Sequence, residues 1–221
     1  METNINDIVK EYHNLNIFDS LQIWEIREGL EKGLTADEVN LYADPKFSHK
    51  KMKQVWLGLF HCLSKEKVQL YADPEYSLTQ MEEIRLGLEK GLTKEQVELY
   101  ANHKYDSRQM EQIRAGIEQG LTGEQISLYA DPKFEYSQMW EIREGLKKGL
   151  TVDEVNLYAD PTYNSHQMWE IRIGLVQNLT AEQVMQYAYP DLPENQMRDI
   201  RKKLKDEKRE FSFSKDEELE F

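Results

Sequence analysis

The chain has 221 residues, a formal net charge of −13 and a composition that is 39% hydrophobic and 31% charged. That surface argues against unaided binding to DNA, RNA or an anionic membrane, where phosphate attraction needs Lys and Arg. One cysteine, Cys62, excludes an internal disulfide framework, and no run approaches the roughly 18 apolar residues of a membrane span.

The N-terminal segment, residues 1–11, lacks the basic start and continuous apolar stretch of a signal peptide. Its Ile8 and Val9 suit a degenerate helix that caps the first repeat unit. From residue 12 a 29-residue register takes over. Leu-Tyr-Ala recurs at Leu41, Leu70, Leu99, Leu128 and Leu157, and the same register reaches Gln186-Tyr187-Ala188. Copies begin at 12, 41, 70, 99, 128, 157 and 186, with no gap. Repetition at this period is the signature of stacked helical units.

Residues 76–98, "YSLTQMEEIRLGLEKGLTKEQVE", carry the start and stop signals of two helices. Ser77 and Gln80 form a capping box, in which each side chain satisfies an orphan backbone group of the other, and Tyr76 staples to Met81. Met81, Ile84 and Leu88 make one apolar helical face. Gly91 suits the left-handed residue that closes a helix. Thr93 with Gln96, and Leu92 with Val97, repeat the logic for a second helix, which Asp-Pro ends in most copies. Each copy is predicted to be a helix of about 13 residues, a tight turn and a helix of about nine. Neither helix can bury its face alone, so the copies must stack. The predicted fold is all-α: an α-solenoid of seven 29-residue helix-turn-helix repeats over residues 12–209. The last copy loses Gly and Thr, so its first helix runs on as a polar cap. Residues 210–221 read as a loose acidic tail.

The pattern "YADPxF…QMxEIRxGLxxGL" resembles short helical repeats in large mobile-element proteins of gut anaerobic bacteria. The resemblance covers nearly the whole chain. It carries no catalytic residue and implies a bacterial interaction module of a plasmid or transposon.

Chemistry is sparse. His13, His49, His61, His103 and His166 occupy different repeat positions, and none forms an H-E-x-x-H or paired-Cys spacing. No metal, cofactor or catalytic residue is assigned, and a cytoplasmic, non-enzymatic protein is expected. Arg27, Arg85, Arg114, Arg143, Arg172 and Arg201 share one position, broken only by Trp56, while Asp44, Asp73, Asp131 and Asp160 form a second column. The Arg column is read as structural, tying helix ends or neighbouring Asp residues.

The variable positions carry the functional reading. Three places at i, i+4 and i+7 of the first helix form a face apart from the Met/Ile/Leu stripe. They hold Lys53/Leu57/Phe60 in the second copy and Trp169/Ile173/Val176 in the sixth, with charge in most sisters. Trp24 and Trp140 stand on the same face, and Trp56 is taken to extend the second patch. A contiguous apolar area rimmed by charge is what a partner site looks like. Trp24, Trp56, Leu57, Phe60, Trp140, Trp169, Ile173 and Val176 are therefore the candidate partner-binding residues, for another protein or a second copy of the chain. The alternative is an acidic surface that imitates nucleic acid and inhibits a host defence or nucleic-acid-processing protein.

Overall fold

The computed structural model describes residues 4–218, with side chains to residue 208. Among the described residues there are fourteen helices and no strand. The chain opens with α1 (Ile5–Asn14). Long and short helices then alternate: α2 (Ser20–Glu31), α3 (Ala36–Val39), α4 (His49–Phe60), α5 (Lys65–Val68), α6 (Leu78–Glu89), α7 (Lys94–Glu98), α8 (Ser107–Glu118), α9 (Gly123–Ser127), α10 (Tyr136–Lys147), α11 (Val152–Asn156), α12 (Ser165–Val176), α13 (Ala181–Val184) and α14 (Glu194–Glu218). The long helices start at residues 20, 49, 78, 107, 136, 165 and 194, each 29 after the last. Two compact units divide at residues 114 and 115, inside α8. In the first, α2 packs on α4 and α4 on α6; in the second, α10 packs on α12 and α12 on α14. Consecutive packing of this kind is that of a helical repeat.

The capping boxes form as read: Ser77 with Gln80, Thr93 with Gln96, and the equivalent pairs at Thr122, Thr151 and Thr180. The long helices are close to the expected length, and the short ones are about half of it. The long helices before α14 have 12 residues and the short ones four or five. After Val39 the backbone tightens: Leu41 N–H donates to Glu38 O and Tyr42 N–H to Val39 O, three residues back, before Asp44 N–H closes on Tyr42 O. The apolar Leu-Tyr pair extends the helical pattern in sequence, but its backbone bonds are those of a 3₁₀ turn. At the far end α14 runs to Glu218, past residue 210, where the sequence suggests a loose tail. No Gly or Pro interrupts residues 194–218, so nothing local stops the helix. Residues 219–221 lie outside the described part.

Three columns build each unit. Met52, Met81, Met139 and Met168, with the Ile or Val three residues on, are wholly buried, which contributes about 1.5–3 kcal/mol per side chain. Tyr42, Tyr71, Tyr158 and Tyr187, from the turns after the short helices, are also wholly buried, and each hydroxyl donates to a long-helix carbonyl 17 residues earlier at 3.3–3.5 Å. Burial pushes these hydroxyls well above the usual tyrosine range. A Cβ placed on Gly58 or Gly174 would stand 1.9–2.0 Å from the hydroxyl of Tyr71 or Tyr187, so the glycine clears the space the tyrosine fills.

The third column is glutamine. Gln22 Oε1 accepts from Asp19 N–H at 2.8 Å within its own capping box, while Gln22 Nε2 donates to Phe47 O at 2.7 Å in the next copy. Gln80 does the same toward Tyr105 O, and Gln167 toward Pro190 O and Leu192 O. One side chain thus caps its own helix and fastens it to the following loop.

Candidate interaction surface

The arginine column resolves into joints between consecutive long helices. Arg85 Nε donates to Gln54 Oε1 at 3.0 Å and Arg114 Nε to Glu83 Oε2 at 2.9 Å. In the second unit, Arg172 Nε reaches Glu141 Oε2 at 2.7 Å and Arg201 Nε reaches Glu170 Oε2 at 2.8 Å. Every pair is 31 residues apart. The aspartates expected to receive these arginines do other work: Asp44, Asp73, Asp131 and Asp160 each accept a backbone N–H two residues on, closing the turn before the next long helix. Both columns share one period, so spacing alone cannot say which faces the arginine.

Trp56 belongs to this series of joints and not to the surface. It is 5% exposed, and its indole Nε1–H donates to Glu25 Oε2 at 2.7 Å, the bond that arginine makes elsewhere. Its expected place on the exposed face is therefore corrected. The helical surface pattern groups Trp56 with Leu57 and Phe60, but the position two residues after the Glu/Gln column points at the preceding helix. Burial raises the Glu25 pKa above the carboxylate range; the indole hydrogen bond and the nearby Lys53 and His49 oppose the shift, while Glu28 adds to it.

The remaining candidates stay on the surface to different degrees. Trp24, Phe60, Trp140 and Trp169 are 50%, 47%, 40% and 38% exposed, whereas Leu57, Ile173 and Val176 are half-buried. In the first unit Phe60 stands edge-on to Trp56, ring centroids 6.4 Å apart, with Lys32 Nζ 6.0 Å above its ring. The buried tryptophan thus props up the exposed phenylalanine. In the second unit the guanidinium of Arg172 lies 5.6 Å from the Trp140 ring, and that of Arg201 lies 5.7 Å from the Trp169 ring. Each arginine is already locked to a buried glutamate, so each tryptophan is backed by a fixed cation while it stays partly exposed. A pocket of about 310 Å³ opens beside Trp169, lined also by His166, Glu194 and Arg198.

Arg172 and Arg201 are the residues that a reading of the variable positions misses. A column of Glu or Gln at 25, 54, 83, 112, 141 and 170, two residues ahead of the Arg column, is the signal that could have found them. Among the described residues no group of three or more His, Cys, Asp or Glu is arranged to hold a metal ion, and no helix is long and apolar enough to cross a membrane.

The fold and this surface define an all-helical, repeat-like chain with exposed aromatic side chains on its long helices. No protein-family model, curated protein or solved structure matches it.

Proposed function

We propose that the chain is a non-enzymatic, cytoplasmic α-solenoid of seven copies that binds a protein through the exposed aromatic face of its long helices. The supporting observation is the backing of Trp140 and Trp169 by Arg172 and Arg201. A large apolar side chain that is already held in place loses little conformational freedom on binding, and that is the character of a hot spot. Ile173 and Val176 flank Trp169 with half-buried apolar surface, and Phe60 with Leu57 forms the counterpart in the first unit. Trp56 serves this face indirectly, as the support of Phe60.

The mobile-element resemblance makes a bacterial partner the first place to look. The rival reading, an acidic imitation of nucleic acid, draws on the net charge of −13. It ranks second because Lys and Arg are interspersed with the acidic residues along the chain, so the negative charge forms no uniform stripe. The test is partner capture by immobilised protein at low and high salt, with the Trp140→Ala/Trp169→Ala and Phe60→Lys/Ile173→Lys variants alongside. Loss of capture in the variants, with salt having little effect, is expected. Capture that survives both double variants sinks the proposal, and binding abolished by salt alone transfers it to the rival.

A further inference from the structure

The two ends of the chain expose halves of the joint that the copies between them bury. On α14, Asp199 and Ile200 occupy the positions of Glu170 and Ile171 on α12. Glu170 and Ile171 are buried, the glutamate beneath Arg201 and Arg198. Asp199 is exposed and Ile200 only half-buried. Gln196 is exposed too, where its counterpart Gln167 donates to the carbonyls of the following loop.

On α2 the complementary half is only partly covered, by α1. Ile23 is half-buried, although Met52, Met81 and Met110 at the same position are wholly buried. The Arg27 side chain is 39% exposed, against 12% for Arg85 and 10% for Arg114. It donates to Asn6 Oδ1 of α1 at 2.9 Å and approaches Glu31 at 3.7 Å, in place of a buried acceptor on a neighbouring long helix. Between α1 and α2 a groove of about 280 Å³ remains, lined by Val9, Ile23 and Arg27.

The rims of both ends depart from the repeat in the same direction. Leu15, Ile17 and Leu21 are more than half exposed where the next copy carries Asp44, Lys46 and Lys50. Met185 and Tyr189 are 49% and 57% exposed where the preceding copy carries Asn156 and Asp160. End copies of a stacked array need polar outer faces to stay apart. These rims carry Leu15, Ile17, Leu21, Met185 and Tyr189 instead.

We infer that the C-terminal end of one chain docks head to tail on the N-terminal end of a second copy, Asp199 accepting from Arg27 as Glu170 accepts from Arg201. The occupant is a second copy because its own repeat supplies the matching chemistry in register. A carboxylate meets a guanidinium, Ile200 and Ile23 meet as apolar centres, and the Gln196 amide finds carbonyls in the loop before α2. That loop, residues 16–18, is the counterpart of the one whose carbonyls Gln22 holds in the next copy. Such a contact joins two different patches, so it builds open rows of molecules unless the rotation closes a ring. The tryptophan face takes no part, so this joint stands or falls separately from the function proposed above.

Sedimentation velocity on the full chain at low salt, over a thousandfold concentration range, tests it. The expected result is a mass that climbs with concentration beyond two chains. Asp199→Arg and Arg27→Asp each move that rise at least tenfold higher. Mixing the two variants brings it back, because each reversed end then meets its complement. The mixture also guards against misfolding, since a variant that fails to fold cannot restore assembly. A mass of 26.2 kDa at every concentration overturns the inference. So does assembly that ignores both reversals, and so does a mixture that fails to recover.

Discussion

The joint between α2 and α4 and the joint between α12 and α14 solve one problem with different chemistry. Both place a donor 31 residues after a buried carboxylate, at 2.7 Å for Trp56 to Glu25 and 2.8 Å for Arg201 to Glu170. The guanidinium brings a positive charge, and the indole brings only a hydrogen bond. Burial disfavours the ionised form of Glu25, and the indole hydrogen bond offsets only part of that. At this position the repeat requires a flat donor long enough to cross to the preceding helix. Charge is an addition that one copy does without.

Removing the acidic partner separates the two joints most sharply. Glu170→Leu strands Arg201 in a buried site and should cost about 3–5 kcal/mol, whereas Glu25→Leu leaves only an indole N–H without its acceptor and should cost about 1–3 kcal/mol. Urea denaturation of the two variants measures both; equal losses would mean that charge pairing adds nothing. Gly58→Ala and Gly174→Ala provide the control. The tyrosine hydroxyl crowds both positions alike, so each should lose about 1–3 kcal/mol in either joint, and a large disparity would point to unequal tyrosine seating.

A smaller effect is expected where α4 ends. Cys62 has φ 65°, the left-handed conformation that Gly33, Gly91, Gly120 and Gly149 adopt at the same position with less strain. Cys62→Gly should raise stability by about 1 kcal/mol. Asn178→Gly, at φ 65° in the sixth copy, should gain less, because asparagine tolerates that conformation better. Thermal unfolding in reducing buffer would rank them.

The smallest effect lies in pH. A carboxyl group whose folded pKa is raised binds its proton more tightly in the folded state, so its contribution to stability is fully present below the unfolded value. It is lost as pH rises through the folded one. Glu25→Gln should therefore flatten the decline in stability that begins near the ordinary carboxylate value of about 4.3 and continues upward. Burial raises Glu141 as well, despite its bond to Arg172, so some slope should persist in the variant. A variant whose slope matches the parent would place the titration elsewhere.

Periodicity, capping pairs and the Met/Ile/Leu stripe were legible because each depends on neighbours within one helix. Ser77 with Gln80 and Thr93 with Gln96 need no tertiary information. The joints were not legible in the same way. Whether Arg172 meets Asp160 or Glu141 depends on the phase between two packed helices, and a shared period leaves that phase undetermined. Trp56 misled for the same reason. Its apolar character suggested a departure to the surface, yet it keeps the arginine's inward task. The tyrosine column explains a further silence in the sequence, since Gly58 and Gly174 look like ordinary repeat glycines until Tyr71 and Tyr187 are seen against them.

The double duty of the glutamines bears on how such a chain can change its length. Gln22, Gln80 and Gln167 each hold their own helix cap and a loop 23 or 25 residues downstream. Adding or deleting a few residues between the two points would pull one end of that tether out of reach while leaving the other in place. Small length changes are therefore penalised in nearly every connection, whereas duplication or loss of a whole 29-residue segment preserves all of the tethers. The gapless register from residue 12 onward is the pattern expected of a gene that grows and shrinks by recombination between its own copies.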